Sequence, residues 1–168
     1  MKAVQVSEHG GPEAMKYQDV ADLSPGEGQA LEEIQAVGVN FTDVYNRMGA
    51  NPGQPLPRTI GVEGAGTVRG VGSGVTQVKE GDVVAYCGTP GSYAEQALVP
   101  ASRLIKMPDG LDARAGAAAM LQGMTAQYLC HSTDSVQKGG RVVIHAGAGG
   151  VGLLLIQMVK KLGGYIFT

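Results

Sequence analysis

The chain has 168 residues, of which 43% are hydrophobic and 17% charged, and its 27 glycines follow no period, which excludes collagen-like and low-complexity classes. A formal net charge of −2 and an isoelectric point near 5.9 exclude a general electrostatic attraction to nucleic acids or anionic membranes. The two cysteines, Cys87 and Cys130, form no CxxC motif, so we expect no disulfide framework and a cytoplasmic location.

The first 110 residues or so consist of short apolar segments separated by Gly, Pro and Asp, a pattern that predicts a compact β-barrel-like domain. One short helix is expected within "TDVYNRMG", with Thr42 or Asp43 as the N-terminal cap and Gly49 as the end. Strands are expected at residues 3–6, 30–39, 64–72, 82–86 and 93–100.

The composition changes after Pro108. Residues 111–132 are rich in Ala, Leu and Met and predict two short helices with a break near Gly123. A buried strand at 141–146, with His145 as a core residue, then leads through a glycine loop into a helix at about 150–162 and a second strand at "YIFT". The uncharged segment from 142 to 159 would be long enough to cross a membrane, but its four glycines favour strand, turn and helix instead, so no membrane span is expected.

The glycine loop satisfies the pattern GxGxxG between a strand and an amphipathic helix, which is the context of a dinucleotide-binding site. In such loops the glycines permit a tight turn, close approach to a pyrophosphate and close packing of helix on strand. The expected cofactor-binding residues are Gly147, Gly149, Gly150, Val151 and Gly152. No acidic residue lies between the last of these and the end of the chain, so these residues do not distinguish NAD from NADP.

A dinucleotide-binding fold needs two βαβαβ halves, whereas this sequence supplies one strand, one helix and the beginning of a second strand. We therefore expect the chain to be the N-terminal part of a longer enzyme and to be inactive by itself. The terminal βαβ piece would expose apolar surface and a sheet edge. It is expected to be shielded by another chain or a separate fragment, or to be poorly ordered.

Four segments in order, "HGGPEAM" (9–15), "GVNFTDVYNRMG" (38–49), "LQGMTAQYL" (121–129) and "HAGAGGVGLLLIQ" (145–157), resemble the medium-chain dehydrogenase/reductase superfamily. The sequence is most similar to its zinc-free quinone oxidoreductase branch, which is zeta-crystallin-like. The resemblance implies a mixed α+β and α/β chain. Residues 1–122 would form a GroES-like β-barrel catalytic domain, and residues 123–168 the first βαβ unit of a truncated Rossmann domain.

Zinc-dependent alcohol dehydrogenases of the superfamily carry Cys-His where this sequence has Asn40-Phe41, and His-Glu where it has Val62-Glu63. These replacements remove the thiolate and imidazole ligands of a catalytic zinc ion, and the lobe that holds a structural zinc with four cysteines retains only Cys87. We expect no metal, with Glu63 remaining as a structural hydrogen-bond acceptor.

The resemblance also implies the site residues. Asn40 and Tyr45 would be catalytic, because an amide N–H and a phenol O–H can donate to a developing oxyanion without a metal. Phe41 and Thr125 would seat the nicotinamide ring, with Thr125 near its carboxamide. Tyr45 could instead be a packing residue, and Asp43 with Arg47 a helix-surface ion pair. At Asn51 the sequence departs from several relatives, which have a tyrosine there.

The implied function is that of a zinc-independent, NADPH-dependent quinone oxidoreductase. An enoyl or alkenal double-bond reductase of the same superfamily is the alternative among enzymes. A non-enzymatic crystallin-like or RNA-binding role is the alternative from another class, and the acidic isoelectric point opposes RNA binding. The expected partners are a small-molecule quinone or activated alkene, no nucleic acid and no membrane, and a homodimer is implied for the full-length protein.

Overall fold

A computed structural model describes residues 1–50 and 55–168 of the chain. The chain divides into two compact units, Met1–Ala118 and Ala119–Thr168. The division falls inside a helix, α2 (Ala113–Tyr128), which also contains the boundary predicted at residue 122. The assignment of two domains stays a prediction.

Two antiparallel sheets form the first unit. A five-stranded sheet has the order β7-β3-β5-β6-β8, and a three-stranded sheet has the order β2-β1-β4. A bridge between Ala3 and Ala94 connects the smaller sheet to the segment that precedes β7. The strands are β1 (Lys2–Val6), β2 (Met15–Asp19), β3 (Gln29–Val37), β4 (Arg58–Thr59), β5 (Glu63–Val71), β6 (Val83–Cys87), β7 (Gln96–Pro100) and β8 (Ile105–Lys106). The predicted barrel-like β fold is confirmed.

The strands of the first unit differ from the prediction in two main respects. The strand predicted at 93–100 begins only at Gln96, because the residues before it pair with β1: Val4 N–H donates to Tyr93 O at 2.8 Å and Glu95 N–H to Lys2 O at 3.0 Å. Strand β2 was not predicted at all. It pairs along its whole length with β1, but four of its five residues are exposed, so its sequence lacks the apolar alternation that marks a half-buried strand.

The principal core lies in the five-stranded sheet, where alternate residues of β3 point inward. Its buried members are Ala30, Val68, Val78, Val84, Tyr86, Ala97, Val99, Ala101 and Leu104. A smaller core of Val6, Ala14 and Ile60 supports the three-stranded sheet.

The short helix α1 (Phe41–Met48) begins earlier than predicted. Its N-terminal cap is Asn40, with φ −131° and ψ 152°, whereas Thr42 and Asp43 lie within the first turn. The extended backbone of Asn40 marks it as the last residue outside the helix. The predicted end is correct, because Gly49 has a φ of 82°, a left-handed conformation that glycine adopts without steric cost.

Helix α2 is continuous from Ala113 to Tyr128 and passes into a wider π-type turn over Leu129–Thr133. The predicted break near Gly123 was wrong. A single glycine inside a helix costs only about 1 kcal/mol relative to alanine, and the neighbouring alanines and methionines are good helix formers. Within the described residues, no helix is long and apolar enough to span a membrane.

The second unit ends in the predicted βαβ arrangement, in which β9 (Arg141–Val143) and β10 (Tyr165–Phe167) pair in parallel and α3 (Gly150–Lys161) connects them. The first strand stops at Val143 rather than at residue 146, since its pairing with β10 covers three residues and the chain then turns. His145 consequently lies exposed in the turn and is not the core residue that was expected.

Candidate functional site

The residues expected to face the acceptor lie at the start of α1 in the first unit. Asn40 is buried, with 8% of its surface exposed, and its side-chain Nδ2 donates to Oε2 of Glu63 at 2.7 Å. Glu63 is the first residue of β5 and is 1% exposed. One hydrogen of the Asn40 amide is therefore committed to a buried carboxylate, so the Asn40 side chain is held in one orientation.

Close backbone packing makes room for this carboxylate. A Cβ atom on Gly38 would overlap the Glu63 carboxyl group and lie 2.7 Å from the carbonyl oxygen of Ala117. Gly38 N–H also donates to the backbone oxygen of Glu63 at 3.1 Å. The glycine in "GVN" thus brings β5 against the segment that enters α1.

Asp43 is part of the same cluster and is not on the helix surface. It is 4% exposed, and its Oδ2 accepts hydrogen bonds from the Asn40 backbone N–H at 2.9 Å and from the Tyr93 hydroxyl at 2.8 Å. Burial raises the pKa of Asp43, and the two donors oppose that shift. The alternative of a helix-surface ion pair with Arg47 is therefore wrong, because the Asp43 carboxylate is buried and bonded to Asn40 and Tyr93.

The tyrosine that completes this contact was missed in the sequence. Tyr93 is fixed by its backbone, since its N–H donates to Ile60 O at 3.0 Å and its carbonyl accepts from Val4. Burial, and then the carboxylate of Asp43, raise the pKa of the Tyr93 hydroxyl, which keeps it protonated as a donor. No local pattern marks such a pair, because Asp43 and Tyr93 are fifty residues apart in the chain.

The four positions that correspond to zinc ligands carry a poor donor set for that metal. Phe41 and Val62 offer no lone pair, Asn40 offers an amide, and the Glu63 carboxylate already accepts from that amide. Among residues 1–50 and 55–168, no group of three or more His, Cys, Asp or Glu side chains is placed to hold a metal ion. The absence of a metal stays a prediction that elemental analysis can test.

The other predicted site residues differ in their surroundings. Phe41 and Tyr45 project from α1 with exposed fractions of 79% and 54%, so both rings are accessible to a ligand. Thr125 belongs to the second unit, where its half-buried hydroxyl donates to Leu121 O within α2 at 2.7 Å. Asn51 lies outside the described residues.

The glycine loop connects β9 to α3 in the second unit. Gly149 is the N-terminal cap of α3, so the N–H groups of Gly150, Val151 and Gly152 lie in the first turn, where no carbonyl of the helix can reach them. A helix amino terminus of this kind carries partial positive charge and binds phosphate groups through its backbone.

The loop glycines differ in the space that surrounds them. A Cβ on Gly152 would overlap Ala146 O and lie 2.7 Å from Gly147 Cα, so this glycine allows the helix to pack on the strand end. A Cβ on Gly147 would overlap the Thr168 hydroxyl. Around Gly149 the only described atom near a Cβ, apart from its chain neighbours, would be Ala146 O at 3.2 Å. The backbone there is otherwise open, as close approach of a phosphate requires.

Gln122 is a further residue beside the loop, and no sequence pattern marks it. Its side-chain amide packs against the Cα of Gly150, where a Cβ atom would lie 2.8 Å from Nε2. The segment "LQGMTAQYL" contains this residue, but the family resemblance implies a role only for Thr125. Proximity to the amino end of α3 is a tertiary property that the segment alone does not reveal.

Residues 26–109, half of the chain, match the alcohol dehydrogenase GroES-like domain, and the chain belongs to that family. The more particular resemblance to quinone oxidoreductases is confirmed as well. A quinone oxidoreductase of Pseudomonas aeruginosa is 43% identical over 96% of this chain and 50% of its own length. A 2-haloacrylate reductase of a Burkholderia species is 42% identical over 96% of this chain and 50% of its own length.

A solved structure gives the same result. The quinone oxidoreductase of Escherichia coli, determined in complex with NADPH, superposes with a TM-score of 0.95 at 35% identity, over 99% of this chain and 51% of that one. The chain thus spans about half the length of the relatives that it matches.

Proposed function

We propose that the protein is an NADPH-dependent quinone oxidoreductase that works without zinc. The observation that carries the proposal is the glycine loop in its βαβ unit, with an open backbone at Gly149 and a tightly packed Gly152. The names of the relatives support the acceptor class, and the NADPH complex of the Escherichia coli enzyme supports the cofactor. Cys87 and Cys130 are both free, which supports a cytoplasmic location, and a homodimer is part of the proposal.

The residues that would hold the cofactor are those of the loop and two side chains. The backbone N–H groups of Gly150, Val151 and Gly152 would bind the pyrophosphate. Phe41 would pack on the nicotinamide with its exposed ring, and the Thr125 oxygen, whose hydrogen is donated to Leu121, would accept from the carboxamide. NADPH, when bound, supplies a hydride, and the protein supplies placement and polarity.

On the acceptor side, Asn40 and Tyr45 would provide the donors. The Tyr45 hydroxyl lies on an exposed side chain that can reach a ligand, and the second hydrogen of the Asn40 amide is directed away from the one given to Glu63. Two neutral donors, of which Asn40 is already oriented by Glu63, would stabilise negative charge on a carbonyl oxygen as it develops.

The second candidate is a reductase of activated alkenes, favoured by the similarity to a 2-haloacrylate reductase. The same donors would serve it, because an α,β-unsaturated carbonyl also places charge on oxygen when hydride adds to the alkene.

Steady-state assays on the protein expressed from its complete gene test both candidates. NADPH oxidation is followed with benzoquinones and naphthoquinones, and in parallel with 2-haloacrylate and linear alkenals. The proposal predicts a higher kcat/KM for quinones. Turnover confined to the alkenes would replace it with the second candidate, and no turnover with either class would reject both.

A further inference from the structure

A buried chain of polar groups runs behind the acceptor residues in the first unit. Asp43 accepts from the Asn40 backbone N–H and from the Tyr93 hydroxyl, and Asn40 in turn donates through its side chain to Glu63. Asn40, Asp43 and Glu63 are all less than one-tenth exposed. The chain of contacts therefore joins the start of α1, β5 and the segment before β7 without passing through solvent.

Both ends of Asn40 are fixed by this arrangement. Its backbone N–H is held by Asp43 and its amide by Glu63, at 2.9 and 2.7 Å. Asp43 is anchored outside the helix by Tyr93, whose backbone is bound to Val4 and Ile60 at the three-stranded sheet. The position of the Asn40 amide is thus set by strands and not by the short helix alone.

Burial distinguishes Asp43 from an ordinary capping carboxylate. Asp112 accepts the Ala115 N–H at 2.9 Å at the start of α2 and remains exposed. Asp43 makes the reverse contact, from the third residue of its helix to the N–H of the capping residue, but it is enclosed, and its Oδ1 has no hydrogen-bond partner within the described part of the chain. Capping a helix does not require this desolvation, which disfavours the charged form.

We propose that Asp43 is a positioning residue, which fixes the Asn40 amide for the acceptor through the Asn40 backbone N–H and the Tyr93 hydroxyl. This inference rests on the proposed function for the role of Asn40. The proposal assigns Asp43 no contact with the acceptor, because its carboxylate is buried and its Oδ2 is engaged by the Asn40 backbone and the Tyr93 hydroxyl.

The test compares Asp43→Asn and Tyr93→Phe with Asp112→Asn in the protein expressed from its complete gene. Asp112→Asn is the matched control, because it makes the same chemical change at another helix start. Two readouts are used: kcat and KM for NADPH, and the side-chain amide resonance of Asn40 in ¹⁵N-labelled protein, assigned by its loss in Asn40→Ala.

For Asp43→Asn we expect kcat to fall by roughly ten- to a hundredfold, as displacement of a reacting group by a fraction of an ångström can do. KM for NADPH should stay within about twofold, because the glycine loop is untouched. The Asn40 amide resonance should shift and its hydrogens should exchange faster with solvent. Tyr93→Phe should cause smaller changes of the same kind, and Asp112→Asn none.

Unchanged kcat or an unchanged Asn40 resonance in folded Asp43→Asn overturns the inference. If that variant does not fold, Tyr93→Phe decides by the same two criteria. If the wild-type protein reduces no acceptor, the proposed function is rejected, and the positioning of Asn40 by Asp43 then has no role in catalysis. The response of the Asn40 resonance still shows separately whether Asp43 holds that amide.

Discussion

Outside the cluster of Asp43 and Glu63, Glu32 is the most deeply buried carboxylate among the described residues of the first unit. It occupies an inward position of β3 between Ala30 and Ile34, is 0% exposed, and neither carboxylate oxygen has a hydrogen-bond partner in the described part of the chain. Desolvation raises its pKa to about 8. Burial, and then the charge that Glu32 carries when ionised, raise the pKa of the Tyr86 phenol on β6. We infer that Glu32 is protonated in the folded protein at neutral pH.

The sign of the resulting pH dependence follows from linkage. Below a pH of about 4.5 the Glu32 carboxyl is protonated in both the folded and unfolded states, so it does not make the free energy of unfolding depend on pH. Between there and about 8 the unfolded chain loses the proton while the folded protein retains it, so stability falls as pH rises. The limiting slope for one proton is about 1.4 kcal/mol per pH unit.

Glu32→Gln should remove this slope. The free energy of unfolding is measured by urea titration from pH 4.5 to 8 in wild type, Glu32→Gln and Glu33→Gln. Glu33 is the control, because it lies on the same strand with its carboxylate exposed and paired with Arg69. Parallel profiles for wild type and Glu32→Gln would show that the carboxyl is hydrated or paired in solution.

Tyr45 offers a second test at the scale of one residue. Tyr45→Phe removes the hydroxyl and keeps the ring, so kcat should fall by up to roughly a hundredfold, the loss typical of one oxyanion donor. NADPH affinity should be nearly unchanged. Tyr17→Phe is the matched control, since Tyr17 is also exposed but lies on β2. Wild-type turnover of Tyr45→Phe with every acceptor would leave Tyr45 as a packing residue.

At the scale of elements, two substitutions in the glycine loop test cofactor binding and fold stability separately. Gly149 has φ −76° and ψ 166°, values that any residue adopts, so Gly149→Val should fold while its side chain enters the space proposed for the phosphates. We expect NADPH affinity to fall by about tenfold or more, because the phosphates would lose hydrogen bonds to the backbone of the loop. Fluorescence titration with NADPH measures this effect.

Gly152→Ala provides the contrasting variant in the same loop. Its Cβ would overlap the carbonyl of Ala146, so the helix would have to move off the strand end and the melting temperature should fall. The loop assignment would be contradicted if Gly149→Val bound NADPH as tightly as the wild type.

At the scale of the whole molecule, the chain divides into two compact units. The first contains Asn40 and Tyr45, which are proposed to bind the acceptor, and the second contains Thr125 and the glycine loop, which are proposed to bind the cofactor. A family model match over residues 26–109 lies entirely in the first unit, whereas similarity to quinone oxidoreductases extends across both.

Metal content is a property of the whole protein. With an amide, a phenyl ring and an isopropyl group at three of the four ligand positions, purified protein should contain far less than one equivalent of zinc. Inductively coupled plasma mass spectrometry measures this before and after dialysis against EDTA, with unchanged NADPH-dependent turnover as the functional control. Stoichiometric zinc that survives the chelator would contradict the prediction.

Sequence alone determined the features that depend on neighbours in the chain. Strands β1, β3, β5 and β6 follow from short apolar segments bounded by turn residues, Gly49 ends α1 through its left-handed backbone, and the GxGxxG pattern predicts a phosphate-binding turn between strand and helix. Each of these features depends on backbone preferences or side-chain periodicity over a few consecutive residues, so the local sequence is enough to predict it.

Tertiary structure decided the contacts between distant segments. Asp43 with Arg47 fits a surface pair by spacing, but the fold brings Tyr93 to Asp43 and turns the carboxylate inward. Nothing in the local sequence "LEEIQ" marks Glu32 as buried, yet the register of β3 between β5 and β7 encloses it. The physical reason is that burial and hydrogen-bond partners depend on which strands pair, and pairing is a property of the whole unit.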